Sequence, residues 1–346
     1  MHCKNTRQGK SRDGITLTEA IVVSVLLILL LICVLPMQSG HEAARRMRCA
    51  NHLMQLGLAL HNCHDMQGYF PAAMAGTDVS TSLASGNRER LSGLVAILPE
   101  LEQSELYDRI VDHRWNSETE SLPWQQPLEI FRCPTSSRVK PGREPTSYAF
   151  CIGDVASGLH REGHQRGIFG CETTTRFRDI TDGMSNTILM GEIGTEKGLF
   201  TAGQIAVDQP ESLLDSPSFC FETRDTLPQY YAIDMPLHPE GRGAHWADGA
   251  AGPGMFSTIL PPNSPNCAIG GNEAVDGFFS VGSYHPGGTQ VAFADGSVRF
   301  IPDTIDVGDL TQTPPSSQDR QPRKSPFGVW GALGTRAGEE SNHHDY

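Results

Sequence analysis

The feature that most constrains this chain is an uncharged run near its start, `AIVVSVLLILLLICVL` at residues 20–35. With residues 15–19 added it reaches about 21 residues, roughly the 30 Å of a hydrocarbon core at 1.5 Å per residue. The run therefore predicts a helix that crosses a membrane. Before it stands a basic leader carrying Lys4, Arg7, Lys10 and Arg12 against Asp13. Such a leader places the N-terminus on the cytoplasmic side. Glu19 sits just inside the run, where a carboxylate is costly in lipid and so calls for a role.

Beyond Pro36 the apolar pattern changes period. Cys49, Leu53, Leu56, Leu60 and Cys63 step by four and three, the stripe of an amphipathic helix. Gly68 and Pro71 end it. Cys49 and Cys63 share that face but lie about 21 Å apart along the axis, too far to pair with each other. Both are expected as buried apolar thiols. The whole of 15–66 thus reads as one long helix, its first half in lipid and its second half packed on a head.

Composition bounds the rest. A formal charge of −13 argues against nucleic-acid binding, and no basic stripe follows the leader. The 36 glycines and 23 prolines imply a turn-rich chain. Nine cysteines stand without a CxxC pair. In an extracytoplasmic head, disulfides are permitted among Cys133, Cys151, Cys171, Cys220 and Cys267, with no connectivity readable. No HExxH, GxSxG, P-loop or dinucleotide fingerprint occurs, so no enzymatic activity is expected.

The text `SRDG` followed by `ITLTEAIVV` resembles a type IV prepilin leader. The resemblance implies cleavage by prepilin peptidase after Gly14, N-methylation of Ile15, and a subunit-assembly role for Glu19, fifth residue of the mature chain. Ile15 departs from the usual Phe. Further segments resemble the planctomycete family of prepilin-type proteins of unknown function, which is also filed under a solute-binding name. These are `EAARRMRCANHLMQLGLALHNCHDMQGYFP`, `FRCPTSS`, `GIFGCETTTRFRDITDGMSNTILMGE` and `SYHPGGTQVAFADGSVRFIPDTID`. The last carries that family's C-terminal signature, His285 followed at nine residues by Asp295-Gly296.

Read from the residues, `TQVAFADGSVRFI` alternates around Asp295-Gly296 as a two-residue type I′ hairpin would. His285 and Asp295 form one candidate metal pair. Asp179, Asp182 and Glu192 are a candidate cation site, with calcium the cation kept open and no other cofactor expected. His245, Trp246 and Asp248 in `HWADG` are a candidate ligand surface. The expected class is α+β: a pilin-like long N-terminal helix, transmembrane in its first half, packed on a β-rich head of short antiparallel strands. The expected divisions are 1–14 (leader), 15–66 (helix), 67–306 (head) and 307–346 (polar linker and C-terminal segment).

Two functions are expected from this reading. The first is a membrane-anchored pilin- or pseudopilin-like structural protein, processed by prepilin peptidase and assembled with other subunits in a type IV pilus or type II secretion-like filament. The second is a membrane-tethered solute- or glycan-binding module. Either would lie in the cytoplasmic membrane as a single-pass protein in contact with lipid, its head extracytoplasmic.

Overall fold

The computed structural model describes residues 16–75, 90–111, 123–136, 142–161, 165–316 and 323–339, with the side chains of 27–39 left out. The chain divides into two compact units, Met1–Ala44 and Arg45–Tyr346. Helix α1, Leu17–Gln67, belongs to both. Its start is fixed locally. The Thr16 amide donates to Glu19 Oε2 at 2.9 Å, and the Glu19 amide donates to Thr16 Oγ1 at 3.4 Å. This reciprocal pair is a capping box, which satisfies two amides that a helix start leaves open. Gly68 ends the helix at φ +81° with its amide on the His64 carbonyl.

The expected transmembrane half is corrected by the structure. Among the described residues, no helix is long and apolar enough to cross a membrane.

The α+β class holds, with short strands in three sheets. Strands β1 (Met74–Ala75) and β2 (Leu91–Ser92) form a small pair followed by helices α2 (Gly93–Ala96) and α3 (Ser104–Val111). Pro99 separates those helices, opening a single 3-10 turn. The central sheet runs β10-β9-β4-β3-β6, from β3 (Tyr148–Cys151), β4 (Ile188–Glu192), β6 (Met255–Phe256), β9 (Gly288–Phe293) and β10 (Val298–Pro302). Strands β5 (Ala206–Gln209), β7 (Cys267–Ile269) and β8 (Asp276–Phe278) make the third sheet. The head is not wholly antiparallel, because β3 pairs with β6 and β5 with β7 in parallel. Helix α4 (Ala251–Gly254) leads into β6.

Two apolar layers cover the central sheet. One holds Leu53, Leu56 and Leu60 of α1 with Tyr148, Phe150, Met190 and Ala292. The other holds Ala149, Cys151, Ile188, Val291 and Phe293 with Trp330 and Leu333 of helix α5 (Gly328–Gly334). Alternate residues of β3 and β9 thus face opposite layers, as a pleated strand requires. In β4 the register shifts between Ile188 and Met190, so Leu189 and Met190 both join the α1 side. Each fully buried leucine of α1 contributes about 1.5–3 kcal/mol. On the other face α5 lies so close that a Cβ on Gly334 would stand 1.9 Å from Thr258 Oγ1.

The Asp295-Gly296 hairpin is present between β9 and β10, but its turn differs from the expected type I′. Gly296 alone of the pair has positive φ, at +83°. The Gly296 amide donates to Phe293 O and the Phe293 amide to Ser297 O. That is a three-residue loop, a type I turn closed by a left-handed glycine.

Candidate functional site

Four chemically active side chains converge where α1 crosses the central sheet. Cys49 comes from α1, on the apolar stripe that faces the strands. Cys133 follows the short 3-10 turn Glu129–Phe131 and is held by its amide, which donates to Ser147 Oγ at 3.0 Å. Glu192 ends β4, opposite Tyr148 of β3. His285 lies in the loop before β9, its amide on Ser283 Oγ, whose hydroxyl in turn donates to Gly288 O. The loop sequence `SYHPGG` therefore aims the ring inward.

Cys49 and Cys133 form a disulfide, with Cα atoms 5.2 Å apart. His285 Nε2 stands 3.4 Å from Cys133 Sγ, 3.5 Å from Cys49 Sγ and 3.6 Å from Glu192 Oε1. The side chain of His285 is 0% exposed and that of Glu192 1%. Glu192 Oε2 accepts the Gln290 amide at 2.8 Å and the Thr289 hydroxyl at 3.4 Å. Oε1 accepts no hydrogen bond. Tyr148 covers the group, its hydroxyl 3.4 Å from both Cys49 O and His52 Nδ1. Burial, then the Glu192 carboxylate, push the Tyr148 phenol well above its usual range, so it stays a neutral donor. His52 is held below its ordinary value by burial, despite its contact with the Arg132 carbonyl.

Chemically, this is a disulfide flanked by an imidazole and a carboxylate in a site closed to water. The imidazole can hold or give up a proton beside either sulfur. Sulfur, nitrogen and oxygen donors from all four residues lie within 4.8 Å of one another.

The second disulfide, Cys220–Cys267, has a different setting. Its neighbours are the Thr223 hydroxyl and the apolar group of Leu213, Tyr231 and Phe278. Cys63, Cys151 and Cys171 are buried and outside any disulfide. The expectation of a buried thiol thus holds for Cys63 and fails for Cys49, which lies on the same stripe but within reach of the Cys133 loop.

The sequence-predicted sites are redistributed. Gly14 and Ile15 lie outside the described residues. Glu19 is exposed and occupied in the capping box, a Thr-x-x-Glu pattern with Thr16. His285 and Asp295 are not a metal pair: His285 is buried against the sulfurs, and Asp295 is exposed at the hairpin tip with Oδ1 on the Ser297 amide. Asp179, Asp182 and Glu192 do not gather around a cation. Asp179 caps the Arg176 amide, and Asp182 accepts from Thr335 Oγ1 and the Gly338 and Glu339 amides, which locks the C-terminal segment down. Glu192 is committed to the disulfide site.

His245, Trp246 and Asp248 each have partners within the chain. Trp246 is buried against Phe131 and donates to Gln126 O. Asp248 pairs with Arg90 at 2.8 Å, and His245 lies 3.5 Å from Glu240.

Sequence reasoning also missed Arg242, fully buried and donating to Asn266 Oδ1, Gly252 O, Ser280 O and Met255 O. Burial lowers its guanidinium to about 9. A lone arginine in a glycine-rich stretch gave no signal of this.

No match was found among curated proteins or among solved structures. A family profile does match, over residues 38–308, a span that holds Cys49, Cys133, Glu192 and His285 together with the Asp295-Gly296 hairpin. On that match the chain belongs to the family described as "Protein of unknown function (DUF1559)".

Proposed function

We propose that this protein is a pilin-like structural subunit that assembles through the N-terminal part of α1. The observation that carries this reading is a cluster of apolar side chains left in the open. Leu17, Ile21, Val22, Val23, Val25 and Leu26 are all exposed, on a helix whose first turn holds Glu19. So many exposed aliphatic side chains on one short stretch call for a partner. Other copies of the same helix fit, since each would bury its neighbour's apolar surface. Glu19 would then neutralise the amine of a neighbouring mature N-terminus, Ile15, within an apolar bundle.

Prepilin peptidase is the processing partner in this reading, cutting after Gly14, and the role is non-catalytic. The two disulfides support an extracytoplasmic head. The planctomycete prepilin-type resemblance and the `SRDG`–`ITLTE` junction support the same assignment.

N-terminal sequencing of the protein from its own cells tests this directly. The expected product begins at Ile15 with a methylated amine. A protein that retains Met1–Gly14 overturns it. In cross-linking, Glu19→Ala should lose multimers that the unsubstituted protein forms.

A second reading, solute binding, is favoured by one feature. A hollow of about 390 Å³ is lined by Gln209, Pro210, Leu213, Phe219, Glu222 and Met235. The family is also filed under a bacterial solute-binding name. Thermal-shift screening of sugars, peptides and calcium checks it: a ligand-dependent rise that Phe219→Ser removes would support it, and no rise would count against it.

A further inference from the structure

We propose that the Cys49–Cys133 site is a redox-controlled metal site. On reduction of its disulfide, Cys49, Cys133, His285 and Glu192 bind one divalent cation of the zinc class. The inference does not depend on filament assembly.

Geometry carries it. Zinc takes thiolate at about 2.3 Å and imidazole or carboxylate at about 2.0–2.2 Å, so neighbouring ligands on a tetrahedron stand roughly 3.3–3.8 Å apart. Three edges of such a tetrahedron already have that length: Nε2 to each sulfur at 3.4 and 3.5 Å, and Nε2 to Glu192 Oε1 at 3.6 Å. Of the remaining three edges, the two between Glu192 Oε1 and the sulfurs lie within 4.8 Å, and the one between the sulfurs must open. Two cysteines with Cα atoms 5.2 Å apart can open it by side-chain rotation.

The independent observation is Glu192 Oε1, a buried carboxylate oxygen that accepts no hydrogen bond and faces the ring and sulfurs. A buried carboxylate oxygen without a donor is costly, and a cation would satisfy it. The other oxygen is already oriented by the Gln290 amide and the Thr289 hydroxyl, as ligating carboxylates are in metal sites. Two thiolates, one imidazole and one carboxylate are a donor set that suits zinc better than calcium or magnesium.

The chemistry balances with an external reductant. A trialkylphosphine attacks one sulfur and breaks the S–S bond. The phosphine is oxidised to the phosphine oxide with the oxygen of one water, and that water's two hydrogens go to Cys49 and Cys133 as thiols. Metal binding then releases those two protons and leaves two thiolates on the cation. A cellular dithiol would serve the same step by thiol–disulfide exchange, ending as its own disulfide. In either redox state α1 stays clamped to the Cys133 loop, first by S–S and then by S–metal–S.

Cys63 and Cys151 do not compete on these terms. Burial raises Cys63 to about 11 and Cys151 to about 12, which disfavours thiolate at either position.

The test uses the full-length protein and cobalt(II) as the probe. Reduced by phosphine, it should take up one equivalent of cobalt with thiolate-to-metal absorption in the near ultraviolet and visible d–d bands of a tetrahedral site. The oxidised protein should take up none. His285→Ala and Glu192→Gln should each weaken binding at least tenfold, while Cys63→Ala with Cys151→Ala leaves it unchanged.

A second readout needs no variant. Zinc should protect Cys49 and Cys133 of the reduced wild type from alkylation but not Cys63 or Cys171 in the same denaturant series. Reduced protein without thiolate–cobalt absorption, or zinc that leaves Cys49 and Cys133 unprotected, would overturn the proposal.

Discussion

The two disulfides among the described residues are the same bond in opposite surroundings. Cys220–Cys267 closes 47 residues and lies among Leu213, Tyr231, Phe278 and a threonine hydroxyl. Cys49–Cys133 closes 84 residues and lies against a buried imidazole and a buried carboxylate. An apolar setting leaves a disulfide little to do except hold chain together. A setting that contains a proton carrier and an unsatisfied oxygen supports exchange and ligation as well. The difference separates a staple from a site, although the two bonds should contribute similar stability.

That similarity is the largest effect to measure. In the chain-entropy account, Cys49→Ser with Cys133→Ser should cost about 4–5 kcal/mol, and Cys220→Ser with Cys267→Ser about 4 kcal/mol. Urea unfolding of the two double variants checks this. A loss confined to one pair would break the comparison.

Arg242 belongs to the staple's side, since its partner Asn266 directly precedes Cys267. Arg242→Ala takes the buried donor from three backbone carbonyls and one of two donors from Asn266 Oδ1, which keeps the Ser280 amide, and should cost roughly 3–5 kcal/mol by the same measurement.

A smaller effect is set by pH. The folded state holds Cys63 and Cys151 protonated, with pKa values raised from 9.0 to about 11 and about 12. The unfolded chain loses those protons first, so the stability they contribute is full below pH 9 and lost as pH rises through the folded values. The melting temperature should fall above pH 9, and Cys151→Ala should flatten that fall. On the acid side, burial holds His52, His160 and His238 below their ordinary value. Their contribution is present above pH 6.5 and is lost as pH drops below it. The smallest effect is at the hairpin tip, where Asp295→Ala removes one exposed hydrogen bond to the Ser297 amide and should cost about 0.5–1 kcal/mol.

What could be read from the sequence follows the range of the interactions. The stripe Cys49, Leu53, Leu56, Leu60, Cys63 is buried as its period predicts, because helical periodicity is local. Val291 and Phe293 are likewise buried before the Asp-Gly turn. The extra loop residue of that turn escaped because a left-handed Gly296 serves both hairpin types.

The disulfide site was not readable. It needs α1, the Cys133 loop, β4 and the His285 loop together, and those contacts span up to 236 residues of chain. Glu192 was grouped with Asp179 and Asp182 as a cation site because the three lie close in sequence, and Trp246 looked like a binding residue because it lies in a loop. In both cases the burial comes from distant segments. The apolar run misled in the other direction: it was judged by length as a membrane span, and among the described residues no helix is long and apolar enough to cross a membrane.

The central claim is that the two disulfides differ in chemistry rather than in strength. Thiol–disulfide equilibration of the full-length protein at a fixed glutathione ratio, with and without zinc, tests it most directly, with each bond followed by differential alkylation and mass spectrometry. Zinc should draw Cys49–Cys133 towards the reduced form, because a ligand that binds one state shifts the equilibrium towards it, and should leave Cys220–Cys267 unchanged. Equal responses of the two bonds, or no response at Cys49–Cys133, would contradict the account.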